Sequence, residues 1–221
     1  MLSKINNVLF DLDGTLVDTA PDLANALNRL RQIHNMPKLS FSRIRSVVSL
    51  GGEAMIKLAF DLSKNDPEYP IVRKSFLELY ANKIYCDTKL FNGMDCVLST
   101  LDKNNIQWGI VTNKPEYLTK LLLEAMSLDM RPTCIVSGDT LPFAKPRPEP
   151  LLHACKLMNC TPLETVFIGD AERDIEAGKS AGMSTITARY GYIEENAIPE
   201  NWGATTTIDA PIELLSLLNI N

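Results

Sequence analysis

The stretch Val8-Leu9-Phe10-Asp11-Leu12-Asp13-Gly14-Thr15-Leu16-Val17-Asp18-Thr19 decides how this chain folds. It opens on an apolar run that reads as a buried parallel strand and ends in two carboxylates two positions apart. Side chains alternate along an extended chain, so Asp11 and Asp13 project to the same side at the strand's carboxyl end. Acids held so close repel unless a proton or a cation separates them, which suggests a metal and an acid/base pair. Gly14 lets the backbone leave the strand sharply, and Asp18 or Thr19 ahead of Pro21 makes a helix start.

Outward from that stretch, residues 18–87 show only helical periodicity, with Ser49-Leu50-Gly51-Gly52 breaking one helix from the next. Beyond Leu90 strands and helices alternate: strands at 108–111, 133–136, 165–168 and 184–187, a short one near 205–208, and a closing helix from Pro211. Helices of this length between strands imply an α/β fold with a doubly wound parallel sheet. The strandless block reads as a separate helical cap over 18–87, leaving 1–17 and 88–221 as the core.

Open parallel sheets bind ligands at the strands' carboxyl ends, so the residues that follow each strand belong to one site. The first strand delivers Asp11 and Asp13, the next Thr112-Asn113, the third is followed by Lys145, and the fourth delivers Gly169-Asp170 with Asp174 one helical turn on. Taken in order, DLDGTLVDT, Thr112 after a strand, Lys145 before Pro146 and the spacing GDxxxD resemble the four signatures of the haloacid dehalogenase superfamily, whose members are mostly Mg-dependent phosphatases with a Rossmann-like core. The resemblance covers the chain outside the helical block, which itself is similar to the small cap of the phosphoglycolate phosphatase-like branch. It implies Asp11 as nucleophile, Asp13 as acid/base, and Mg²⁺ on Asp11, the Asp13 carbonyl and Asp170, with Asp174 behind them. Thr112, Asn113 and Lys145 are then the phosphate-binding set. One departure stands out: Ala171-Glu172 follow Asp170 where many members carry a serine or threonine.

The strings VTNKP, KPRPEPL, FIGDAERDIEAGKSAGM, ARYGYI and NWGA resemble bacterial phosphatases that act on N-acetylmuramic acid 6-phosphate in peptidoglycan recycling, with phosphoglycolate phosphatase as the alternative. Both substrates pair a phosphate with a carboxylate, which makes Lys114 and Arg189 candidate second cations, while Gly51 and Gly52, in the break between two cap helices, are candidate backbone contacts to the substrate. Haloalkanoate dehalogenation needs neither Asp13 nor a metal. A phosphosugar mutase shares every core signature and differs by yielding an isomer instead of free phosphate. A silent binding module would be free to lose the nucleophile, and here the acids are complete.

Composition narrows the partners further. A formal net charge of -5 and the lack of a basic run argue against nucleic acid, and no segment approaches a membrane span. The amino terminus does not read as a signal peptide. Five cysteines without CxxC spacing point to reduced, mostly buried thiols in the cytoplasm. The expected partner is a small phosphate ester, and the oligomeric state is not legible.

Overall fold

The structure is a computed structural model describing residues 5–194 and 196–220, so residues 1–4 of the expected core fall outside it. Strand β1 (Asn7–Phe10) is followed by a short β2 (Val17–Asp18) and by helices α1 (Ala20–Ile33), α2 (Phe41–Arg45), α3 (Gly52–Phe60) and α4 (Tyr69–Ala81). The chain returns through β3 (Lys89–Leu90) to α5 (Met94–Lys103), β4 (Gln107–Val111), α6 (Glu116–Ala125), β5 (Cys134–Val136) and α7 (Glu149–Leu157). It ends with β6 (Thr165–Gly169), α8 (Glu172–Ser180), β7 (Ser184–Ala188), β8 (Thr206–Ile208) and α9 (Glu213–Leu217).

Six strands make one parallel sheet in the order β5-β4-β1-β6-β7-β8. Strand β1 sits between β4 and β6, with Phe10 level with Ile110 on one side and Ile168 on the other. The winding reverses at β1, so a crevice opens beyond its carboxyl end. Both faces of the strand are buried: Val8 and Phe10 join one apolar cluster and Leu9 the other. That two-sided burial explains the continuous apolar run in place of alternation.

The helices expected over 18–87 are present, and among the described residues no strand lies between β2 and β3. The sequence reading missed that β2 and β3 pair antiparallel, Val17 opposite Leu90, as a two-stranded ribbon where the chain leaves and re-enters the sheet region. Two-residue strands carry too little periodicity to be read locally. Asp22, in the first turn of α1, binds this exit to the return. Its carboxylate accepts the backbone N–H groups of Cys86, Asp87 and Thr88 at 2.9–3.1 Å and the Thr88 hydroxyl at 2.7 Å.

All five cysteines are free, but Cys86 and Cys96 are exposed, against the expectation that most lie in apolar surroundings. Burial, with Cys160 nearby, pushes the Cys134 and Cys155 thiols up to about 12. A raised pKa leaves less reactive thiolate at a given pH. At pH 8 a thiol reagent is expected to label Cys86 and Cys96 in the native protein and Cys134 and Cys155 only after denaturation; native labelling of the latter pair would contradict their burial.

Candidate active site

The carboxyl ends of β1, β4 and β6 place Asp11, Thr112 and Asp170 around one crevice, and the loop after β5 brings in Lys145. Lys145 is fully buried, with Nζ 2.9 Å from Asp11 Oδ1, 2.8 Å from Asp174 Oδ1 and 2.9 Å from the Val111 carbonyl. The Val111 carbonyl accepts a hydrogen bond from the ammonium, and the two carboxylates pair with its charge, Asp174 Oδ1 accepting no hydrogen bond among the described residues. The Asn113 side chain holds the Lys145 backbone in place, donating to its carbonyl at 2.9 Å and accepting from its N–H at 3.0 Å. Asp11 Oδ1 also accepts the Leu12 N–H at 2.7 Å, while Oδ2 has no donor among the described residues. The nucleophile expected from the sequence thus has one anchored oxygen and one open one.

Carboxylate oxygens of Asp11, Asp170 and Asp174 lie within 4.8 Å of one another, all buried. Burial, then the neighbouring charges of Asp11 and Asp174, pushes Asp170 up to about 7. Burial and Asp174 likewise raise Asp11, against the opposing pull of Lys145 and Arg173. Three hard carboxylates facing one ammonium leave an excess of negative charge, and this donor set fits a divalent cation such as Mg²⁺. The cradle is tight. A Cβ on Gly14, whose φ is +87°, would fall 2.1 Å from Asp170 Oδ2, and one on Gly191 would fall 2.3 Å from the Asp170 Cβ. Both glycines permit a backbone approach that no side chain tolerates.

Asp170 is held by three neutral donors: the Ser49 hydroxyl at 2.6 Å, the Tyr192 N–H at 2.8 Å and the Thr15 hydroxyl at 3.2 Å. Ser49 comes from the turn before α3, so the helical block touches a carboxylate of the cluster directly. Ala171, in place of serine or threonine, brings no polar side chain, and its N–H donates to Asp174 Oδ2 at 3.1 Å. Asp13 stands apart from the three acids. It accepts the Thr19 hydroxyl at 2.6 Å and the Lys114 ammonium at 2.9 Å.

A cavity of about 280 Å³ opens over these groups, lined by Asp11, Asp13, Thr112, Asn113 and Lys114 from the sheet and by Ser49 to Glu53, Lys64, Arg73 and Tyr80 from the helical side. A model of the family described as haloacid dehalogenase-like hydrolase matches residues 8–188. The chain belongs to the haloacid dehalogenase-like hydrolases. It is 38% identical over 216 residues to an N-acetylmuramic acid 6-phosphate phosphatase of Pseudomonas putida, covering 98% of this chain and 97% of that protein. It is 37% identical over 210 residues to a phosphoglycolate phosphatase of Xanthomonas campestris pv. campestris, covering 94% and 93% of the two chains. The crystal structure of a predicted phosphoglycolate phosphatase from Haemophilus somnus superimposes with a TM-score of 0.87 at 25% identity, over 98% and 99% of the two chains.

For a haloacid dehalogenase-like hydrolase the expected core residues converge, and two expected second cations do not stand as read. Arg189 pairs with Asp209 at 2.7 Å and Glu200 at 3.1 Å and does not line the cavity, so it is a surface ion pair. Lys114 does line it, but its ammonium is committed to Asp13 and to the Tyr80 hydroxyl at 3.0 Å. Burial opposes its charge, yet Asp13 and Tyr80 more than offset that and hold the lysine above its ordinary range. Asn113, expected on phosphate, turns its amide to the Lys145 loop. Gly51 and Gly52 do line the cavity. Sequence reasoning missed Ser49's hydroxyl and Tyr80, whose partners lie far along the chain, and Arg173, which only the fold brings to the cavity.

Proposed function

We propose that this hydrolase is a Mg²⁺-dependent phosphomonoesterase acting on a small anionic phosphate ester, N-acetylmuramic acid 6-phosphate being the first candidate. The observation that carries the reading is Asp11 at the cavity wall, with Oδ1 anchored by Lys145 and Oδ2 open, beside an Asp13 that is separately oriented. Asp11 Oδ2 attacks phosphorus, and the ester oxygen departs with a proton from Asp13. Asp13 then takes a proton from water, whose oxygen attacks the aspartyl-phosphate and releases inorganic phosphate with Asp11 restored. Lys114 and Thr19 hold Asp13 on line through both steps.

Mg²⁺ on Asp11, Asp170 and the Asp13 carbonyl, with Asp174 behind, supplies the positive charge that lets a carboxylate approach an anionic ester. The Thr112 hydroxyl accepts the Lys114 N–H at 3.1 Å and keeps its own proton for a phosphoryl oxygen, with the Lys145 charge behind it. The helical block, 18–87, acts as a cap over the remaining core, admitting small substrates and excluding water, with Gly51 and Gly52 on the substrate side. No described helix is long and apolar enough to cross a membrane, and free thiols support a reducing, cytoplasmic setting.

The substrate choice is supported by the near full-length similarity to the Pseudomonas enzyme, and the similarity to the Xanthomonas enzyme favours phosphoglycolate as the second reading. The test is phosphate release from N-acetylmuramic acid 6-phosphate, phosphoglycolate and glucose 6-phosphate, each with Mg²⁺ and with chelator. We expect turnover of the muramic ester at least ~10-fold above glucose 6-phosphate, the size of one discriminating polar contact, and its loss on chelation. Preference for phosphoglycolate would replace the substrate assignment. Turnover unaffected by chelator would overturn the metal, and silence on all three would overturn the reading.

A further inference from the structure

The expected phosphate-binding lysine and the candidate second cation Lys114 are both committed to protein partners. Lys145 is paired with Asp11 and Asp174 and donates to the Val111 carbonyl, and Lys114 holds Asp13 and Tyr80. A phosphate dianion entering the cavity needs donors that are still free. Arg173 has them. It lines the cavity together with Asp11 and Asp13, makes no ion pair or hydrogen bond among the described residues, and its Nε is buried without a partner. Its charge also acts on the Asp11 carboxylate beside that of Lys145, favouring the ionised form.

A structural role does not account for this placement. Arg173 is the second residue of α8, where a cation opposes the helix dipole instead of complementing it. A buried guanidinium nitrogen without a hydrogen-bond partner costs free energy, and among the described residues only the attraction between its charge and Asp11 offsets it. Arg73 and Lys64 also line the cavity, but from the helical side, and Lys64 is paired with Glu53. Arg173 is a neighbour of the cluster itself, one position before Asp174.

We propose that Arg173 is a catalytic residue whose guanidinium binds the phosphoryl oxygens of the substrate. The assignment rests on the phosphomonoesterase reading above. The open donors make charge-assisted, fork-shaped bonds to two of the three non-bridging oxygens, which gain negative charge from the attacking carboxylate in the transition state. Arg173 thereby replaces the Asn113 amide that the family resemblance had placed on phosphate.

The probe is inorganic phosphate, titrated calorimetrically into the Mg²⁺-loaded full chain. Arg173→Gln is expected to weaken phosphate binding at least ~10-fold, Arg173→Lys to recover part of it, and added guanidinium to restore part of the turnover of the Gln variant. The thermal midpoint of the Mg²⁺-loaded variant should change little, since the cation removed opposes the α8 dipole but offsets the charge of Asp11. Phosphate affinity within twofold of the parent in a folded Gln variant would overturn the assignment. A second measurement needs no variant: phosphate should protect Arg173, and not Arg73, from phenylglyoxal as mapped by mass spectrometry, and lactate should not. Equal modification with and without phosphate, or protection by lactate alone, would overturn it. A parent protein that binds phosphate through Arg173 yet cleaves no ester would refute the esterase reading and keep this one; one that binds no phosphate would refute this one.

Discussion

Asp11→Asn is expected to lower turnover by ~10³-fold or more while leaving the fold intact, because it removes the carboxylate oxygen proposed above to attack phosphorus. The side chain is a near isostere, so the Leu12 N–H can still find its oxygen, and Lys145 keeps Asp174 and the Val111 carbonyl. Burial and Asp174 already disfavour the charge on Asp11, so losing it relieves repulsion and the thermal midpoint should hold or rise. Steady-state phosphate release and a melting curve on the same preparation check both halves. Residual activity above about one per cent of the parent, still dependent on Mg²⁺, would sink the nucleophile assignment.

Lys145→Met carries the second large effect, on stability as well as activity. The lysine side chain is 0% exposed, and its ammonium pairs with two of the three buried acids, Asp11 and Asp174. Removing it leaves those acids uncompensated, a change of about 3–5 kcal/mol for a broken buried pair. The pH dependence has a definite sign. Asp11 and Asp170 already have folded pKa values above the ordinary carboxylate range, Asp170 at about 7, and loss of the ammonium raises Asp11 further. A group raised on folding contributes stability at low pH that is lost as pH climbs through its folded value. The deficit relative to the parent should therefore be larger at pH 8 than at pH 5, measured by urea melts in chelator. Equal deficits would mean that the acids are not what the lysine neutralises.

Much of this was legible before any coordinates. An apolar run ending in Asp11-Leu12-Asp13-Gly14 is a local statement about a buried strand and its exit, and β1 ends where that reading places it. The strand ends at Thr112 and Asp170 follow from the same logic, since winding at the first strand makes one crevice of them. The ribbon of β2 and β3 was invisible because each strand is two residues long. Lys114 and Arg189 are candidate second cations by residue type alone, and both are paired, with partners 101 and 20 residues away.

What the sequence alone determined is the set of reactive groups and the strands that carry them, because period, apolar runs and turn residues act over a few neighbouring positions. Which of those groups are free to meet a substrate was decided only by the tertiary structure. Asn113 turns to the Lys145 loop, Ser49 reaches Asp170 across 121 residues, and Lys114 is drawn to Asp13 and Tyr80, leaving the Arg173 Nε without a partner among the described residues on the cavity that Asp11 lines. A buried polar group takes whichever partner packing brings within about 3 Å, and that partner is set by the whole fold.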